Sequence, residues 1–260
     1  MNERDTREVD GAWEAFQTHA YAAPAADLAR YVARYWIVHW DLRGQPPYRQ
    51  LVVPYPNVHL SFVGGDPPLV HGVLRGHAYR TLAGAGRVFG VAFRPGCFRP
   101  VLGRSVATIT GRSVPARDVF GPPTPDRAAA GDEAMVRLVE DFLRATLPAP
   151  DPTAEAVAVM VDRIAADPDL TRVESLAAAV DTRVRTLQRL FSGYVGVGPK
   201  WVIRRYRLHE VSERLAQGRD VAWARLAADL GYADQAHLSR DFTAIFGEPP
   251  SRYARRYPPG

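Results

Sequence analysis

Residues 231–250 read GYADQAHLSRDFTAIFGEPP, and this stretch decides the fold of the C-terminal third of the chain. Gly231 can adopt the left-handed conformation that ends a helix. Asp234 is a natural N-cap for a second helix. Four apolar side chains then recur at helical spacing and predict a buried stripe. They are Leu238, Phe242, Ile245 and Phe246. The stretch therefore predicts the end of one helix, a turn and a second helix.

The same pattern occurs a second time upstream. The spacing L-x3-F-x4-G-x2-P fits both copies, and each position in one copy lies 51 residues from its counterpart, as Gly196 does from Gly247. Before the turn, Leu-Ala-Ala at 176–178 matches Leu-Ala-Ala at 226–228 with an offset of 50. Two copies of one helix-turn-helix unit explain this repeat. The matched positions are Leu187, Phe191, Gly196 and Pro199 in the first copy and Leu238, Phe242, Gly247 and Pro250 in the second.

The outer face of each second helix carries residues suited to reading DNA. The major groove admits one α-helix, and arginine pairs with guanine, glutamine with adenine and a small side chain with the thymine methyl. Arginine and glutamine are also ordinary solvated helix residues, but the repeat and the turn favour DNA reading. The candidates are Arg185, Gln188 and Arg189 in the first copy, and His237 and Arg240 in the second.

These motifs carry a family resemblance. Residues 231–250, together with TLQRLF at 186–191 and GPKWV at 198–202, resemble the AraC/XylS transcription regulators over roughly residues 155–257. The resemblance implies two recognition helices joined by a long helix at about 200–216, which places them in successive major-groove segments about 34 Å apart on double-stranded DNA. It implies RNA polymerase as a partner. It implies no catalytic residues, no cofactor and no metal. Its base-reading positions fall on Arg185, Gln188, Arg189, Gln235, Ala236, His237 and Arg240.

The chain departs from the family pattern at the first turn. Asp181 stands where glycine is usual, and aspartate tolerates the left-handed region better than most residues. Arg183 stands where a small polar cap is usual, so we expect Thr182 or Asp181 to cap instead and the first recognition helix to be less stable. Ala236 offers only a methyl contact, which predicts weaker specificity in the second unit. Three arginines of the joining helix are candidates for phosphate contacts or for solvated surface: Arg204, Arg205 and Arg207.

The N-terminal half predicts a different architecture. Short β-like runs at 35–40, 51–54, 58–63, 69–73 and 88–93 alternate with glycine- and proline-containing turns, which is typical of an antiparallel sheet or small barrel. Residues 54–121 resemble an N-terminal domain found in one branch of the family, and its position implies effector sensing or dimerisation. We predict an α+β chain with a β-rich domain at 1–120, a linker with a helix over 132–147 at 121–151, and a helical DNA-binding domain at 152–260.

Composition limits the classes of protein. The 260 residues carry a net charge of +5, and Lys200 is the single lysine among 33 basic residues. Arginine can bind guanine and phosphate with two bonds, although a GC-rich genome also produces this bias. No apolar run approaches the ~20 residues that span a bilayer, and the charged N-terminus lacks a secretory signal. We therefore expect a cytoplasmic protein without a membrane partner.

Two other classes stay open. One is an enzyme with a DNA-targeting tail. It would be either a metal-dependent enzyme, with ligands among His39, His59, His71 and His77, or a repair protein that accepts alkyl groups on Cys97. Arginines close to Cys97 in the sequence could lower the pKa of its thiol. A lone cysteine cannot form an internal disulfide, and core roles are the simpler interpretation of these side chains. The other class is a helical interaction protein that binds no DNA. The operator, the effector, the oligomeric state and the choice between activation and repression are not decided by the sequence.

Overall fold

The computed structural model describes residues 15–122, 124–125, 131–216 and 223–255. It has an α+β fold, with an antiparallel β domain followed by a helical region. The remaining residues, which include parts of the predicted linker and of both predicted domains, lie outside the described residues.

Within the described residues, eight strands form the β domain. Six of them pair in one antiparallel sheet, in the order β1-β2-β7-β4-β5-β8, and β3 pairs with β6. Each of the five β-like runs predicted from the sequence overlaps a strand, although the runs at 51–54, 58–63 and 69–73 extend beyond it, and β1, β6 and β8 were not predicted. The strands are β1 (Gln17–Ala22), β2 (Val32–Asp41), β3 (Tyr48–Val52), β4 (His59–Val63), β5 (Leu69–His71), β6 (Ala78–Leu82), β7 (Ala85–Phe93) and β8 (Ser113–Pro115).

Alternation along the strands builds the core of this domain. Side chains on a strand point to opposite faces in turn. On β2, Tyr35 and Ile37 are buried, and their register partners on β7 are Val91 and Phe89. Leu60 on β4 also pairs with Val91. One face of the sheet is therefore the packed face that the helices cover.

Short helical segments follow the sheet, and longer helices complete the chain. The helix predicted at 132–147 is confirmed, and the joining helix begins one residue earlier than predicted. The short segments are α1 (Arg99–Leu102), a 3-10 helix (Val106–Ile109) and α2 (Arg117–Phe120). The others are α3 (Asp132–Thr146), α4 (Pro152–Ala166), α5 (Val173–Ala179), α6 (Val184–Tyr194), α7 (Pro199–Ala216), α8 (Trp223–Asp229), α9 (Gln235–Phe246) and α10 (Pro250–Ala254).

One continuous core links the β domain to the first helix-turn-helix unit. It runs from sheet residues such as Phe89 and Phe93 through Val106 and Val139 to Leu187. The second unit packs around its own cluster, which includes Leu238 and Phe242. Trp201 on α7 contacts both clusters. The β domain and the helices therefore share a packed interface in addition to their covalent connection.

Both turns have the backbone that the sequence predicts. Asp181 between α5 and α6 has φ 45°, and Gly231 between α8 and α9 has φ 72°. Asp234 caps α9, because its side chain accepts a hydrogen bond from the backbone N–H of His237 at 2.7 Å. Arg183 takes the N-cap position of α6 with extended backbone (φ −84°, ψ 145°) and makes no side-chain capping bond. The first recognition helix therefore begins uncapped by its own N-cap side chain.

This asymmetry predicts opposite effects of two substitutions on stability. Arg183→Asp supplies an acceptor in a backbone conformation that suits a cap, so we expect it to raise the free energy of unfolding by about 0.5–2 kcal/mol. Asp234→Ala removes a formed cap and should lower that free energy by a similar amount. Urea unfolding of both variants checks this. A destabilised Arg183→Asp protein would show that the helix is capped in another way.

No helix within the described ranges is long and apolar enough to cross a bilayer.

Candidate nucleic-acid interface

Burial of the apolar face of helix α6 leaves its opposite, polar face exposed. Leu187 and Phe191 are fully buried and fix the rotation of the helix. The opposite face exposes Arg185, Gln188 and Arg189, as the sequence predicts. The guanidinium groups of Arg185 and Arg189 form no ion pair with any residue that the structure describes, so their N–H donors face solvent.

Arg183 adds a third guanidinium to this end of α6. The sequence identified it only as a poor cap, yet it is exposed at the N-terminus of the helix, two residues before Arg185. The N-terminal residues of a recognition helix are those that contact base edges. Arg183 thus leaves the helix without a side-chain cap and places positive charge beside the candidate DNA-reading face, which is the kind of local conflict expected at functional sites.

Helix α9 presents the equivalent face of the second unit. Gln235, Ala236 and Arg240 are exposed, and Leu238 is buried on the other side. His237 is half-buried and differs from the other six candidates. Its ring meets the ring of Tyr232 edge-on, with centroids 5.1 Å apart, and its Nε2 lies 3.9 Å from Asp241 Oδ2.

Arg204 supports this second unit from the joining helix. It pairs with Asp241 on α9, and its guanidinium lies 5.8 Å from the centre of the Tyr232 ring. The side chain therefore connects α7 to the recognition helix. Phosphate contact by Arg204 would compete with this pairing.

The hypothesis that Arg205 and Arg207 contact phosphate is wrong. Both side chains are 1% exposed and lie in the protein interior. Arg205 Nε donates to the Pro54 carbonyl of the β domain. Arg207 donates to the carbonyls of Ile164 and Asp167 at the end of α4. These two arginines join helices and domains, and their guanidinium groups are not available to DNA.

The environment of Cys97 disfavours nucleophilic chemistry. The thiol is buried, and burial raises its pKa to about 11, although the charge of Arg94 acts in the opposite direction. The thiolate is the nucleophilic form of cysteine. An alkyl-accepting cysteine requires the opposite shift, so this geometry gives that alternative no support.

The four histidines that the sequence offers as metal ligands each bond to other groups of the protein. His39 Nε2 contacts Asp132 Oδ1 at 3.0 Å, and His59 Nδ1 accepts from Trp36 Nε1 at 3.2 Å. His71 lies between two serine hydroxyls, and His77 bonds to a backbone carbonyl of α9. Across the described ranges, no three His, Cys, Asp or Glu side chains come together as a metal site.

Two of these histidines predict how stability depends on pH. Burial lowers the pKa of His59 and of His71 from 6.5 to about 4. As the pH falls below 6.5, these histidines take up protons in the unfolded chain before they do so in the folded protein. Their contribution to the free energy of unfolding is therefore fully present above pH 6.5 and is lost as the pH falls toward 4. Urea unfolding between pH 7 and pH 4 should therefore show a smaller loss of stability in His71→Gln than in wild type. Identical pH profiles would contradict this assignment.

Comparison with known proteins agrees with this geometry. Residues 176–256 match the family model described as a helix-turn-helix domain, and residues 21–115 match a domain of unknown function (DUF6597). No curated protein matches the chain significantly.

Several solved structures resemble the chain. ToxT from Vibrio cholerae is 9% identical and aligns over 93% of this chain and 99% of its own, with a TM-score of 0.43. The C-terminal domain of AraT, a response regulator from Geobacillus stearothermophilus, is 21% identical over 44% of this chain and 92% of its own, with a TM-score of 0.35. The DNA-binding domain of AdpA, solved with a target DNA, is 27% identical over 42% of this chain and 94% of its own, with a TM-score of 0.32.

The assignment of the C-terminal domain depends on the repeated motif, the two helix-turn-helix units and the family-model match at 176–256. The chain therefore carries a helix-turn-helix domain of the AraC type at residues 176–256, behind a domain of unknown function (DUF6597) at residues 21–115.

Proposed function

We propose that the chain reads a specific promoter sequence through the exposed faces of α6 and α9 and that its β domain controls this binding. The observation that carries the proposal is the pair of equivalent exposed faces. Arg185, Gln188 and Arg189 occupy one, and Gln235 and Arg240 occupy the other. These side chains suit the donor and acceptor pattern of the major groove.

The seven candidate positions divide by expected role. Arg185, Arg189 and Arg240 suit guanine, because their guanidinium forks can donate two bonds. Gln188 and Gln235 suit adenine, and Ala236 suits the thymine methyl. His237 is the exception, since its ring packs within the unit and only part of it is free to reach a base.

The proposal includes three partners besides DNA. A small-molecule effector or a second copy of the chain would act through the β domain, and bound protein would act on RNA polymerase. An effector changes DNA binding only if it prefers one of the two conformations that differ in DNA affinity. Sedimentation of the purified chain with and without operator DNA would determine whether a dimer forms.

Selection from random DNA tests the central part of the proposal. Purified protein should enrich one recurring sequence from a pool of random duplexes. Its affinity for that sequence should fall steeply and linearly when log affinity is plotted against log salt concentration. A chain that enriches nothing and shows no salt dependence would be a helical interaction protein instead.

A further inference from the structure

The two glycines of the repeat lie against the β domain. Gly196 has φ 93° and Gly247 has φ 76°, and each ends its recognition helix. A Cβ built on Gly196 would lie 2.9 Å from Thr110 Oγ1. One built on Gly247 would lie 3.0 Å from Tyr79 Oη. The motif position that defines the repeat is therefore also a place where the β domain approaches the backbone in both units.

Polar contacts hold the first of these approaches. The Thr110 hydroxyl donates to the Gly196 carbonyl at 2.6 Å, and the Ser105 hydroxyl donates to the Ser192 carbonyl at 3.4 Å. The Arg99 guanidinium lies 4.6 Å from the centre of the Tyr194 ring. The β domain thus contacts the C-terminal end of α6.

A separate loop of the β domain holds the second approach. The backbone N–H of His77 donates to the Ala244 carbonyl at 2.9 Å, and the His77 ring Nδ1 bonds to the same carbonyl at 2.9 Å. Ala244 lies 51 residues after Gly193 and is its counterpart in the repeat. The β domain thus contacts the C-terminal end of α9 within one residue of the position equivalent to Ser192, which it contacts on α6.

The joining helix is fixed to the same domain between these two points. Trp201 Nε1 donates to the Arg75 carbonyl at 2.9 Å. Arg205 donates to the Pro54 carbonyl, and its guanidinium lies 4.0 Å from the Tyr55 ring centre and 5.7 Å from that of Phe246 in α9. Both recognition helices and the helix that joins them therefore contact the β domain.

We propose that the β domain is a brace that sets the distance and angle between the two recognition helices. It holds equivalent C-terminal ends of α6 and α9 and leaves their reading faces exposed. The spacing of the two DNA segments is then fixed by the β domain together with α7, not by α7 alone. This inference rests on the proposed function, and it identifies Thr110 and His77 as positioning residues for DNA reading.

Operator spacing provides the test. Inserting one base pair between the two contacted segments rotates one by about 34° and moves it by about 3.4 Å relative to the other. A rigid protein then loses base contacts in one segment, so wild type should bind such operators roughly 10- to 100-fold more weakly than the native spacing. The comparison uses full-length wild type, Thr110→Val, the double variant Thr110→Val/His77→Ala, and Thr108→Val as control. Thr108 also bonds through its hydroxyl, but to Ser105 within the same loop.

The brace predicts a specific change in the spacing penalty, which is the factor by which the inserted base pair weakens binding relative to the native spacing. In Thr110→Val and in the double variant the penalty should shrink by roughly 3- to 10-fold, and native-spacing affinity should weaken several-fold, because fewer molecules hold the reading geometry in advance. Thr108→Val should match wild type. If the folded Thr110→Val protein keeps the full wild-type penalty, α7 alone sets the spacing and the brace is wrong. If wild type binds no selected duplex at all, the proposed function itself fails.

Discussion

Arg189→Ala is expected to weaken specific DNA binding by about 1–3 kcal/mol, which is roughly 5- to 150-fold. The side chain is exposed on α6, one residue from Gln188, and its guanidinium has no ion-pair partner within the described part of the chain. If it bonds a guanine edge, its loss relaxes preference at one base pair. If it bonds phosphate, its loss weakens binding to all sequences and reduces the salt slope by about one.

Arg240→Ala tests the second unit in the same way, and titration of each variant against the selected operator measures both effects. Arg104→Ala is the matched control, since it removes the same charge from an exposed position in the β domain. Full affinity in both Arg189→Ala and Arg240→Ala would refute the assignment of the reading faces.

Arg207→Ala should lower the free energy of unfolding by about 3–5 kcal/mol. The guanidinium donates to the Asp167 carbonyl at 2.8 Å and to the Ile164 carbonyl, and it lies 3.0 Å from Glu210 Oε1. Alanine leaves a cavity, two carbonyls at the end of α4 without their donor, and a carboxylate whose pKa burial already raises.

Thermal or urea unfolding measures this effect. Arg214→Ala is the control on the same helix, because its side chain is exposed and its loss should change stability by less than about 0.5 kcal/mol. Equal stability of Arg207→Ala and wild type would show that the buried guanidinium does not anchor α4 and would reopen a surface role for it.

The sequence predicted the parts of the fold that local chemistry determines. Asp234 and Gly231 mark the second turn by capping and by left-handed backbone, and the structure has both features. The rotation of α6 followed from the apolar spacing of Leu187 and Phe191. Such features need only a few neighbouring residues, so a repeat of them predicts a repeat of the unit.

The parts that were missed depend on distant packing. Arginine is rarely fully buried, so Arg205 and Arg207 were expected at exposed positions on the protein surface. A signal was nevertheless present, because Arg207 lies four residues from both Ile203 and Val211 on the buried stripe of α7. Among the described strands, the unpredicted β6 pairs with β3 alone, and its adjacent exposed Arg80 and Thr81 hide the alternation that indicates a strand.

The contacts of the β domain with the repeat could not be predicted for the same reason. Thr110 and Gly196 are 86 residues apart, and His77 and Ala244 are 167 apart. Nothing in either local sequence specifies its partner. Only the assembled core brings these loops to the ends of α6 and α9.

A hydroxyl-radical footprint of the full chain on its selected operator tests the central claim most directly. Wild type should protect two patches about one helical turn apart on one face of the duplex, and Arg189→Ala and Arg240→Ala should each weaken a different patch. A single patch, or two patches that both variants leave intact, would contradict the claim that α6 and α9 read neighbouring segments of one DNA.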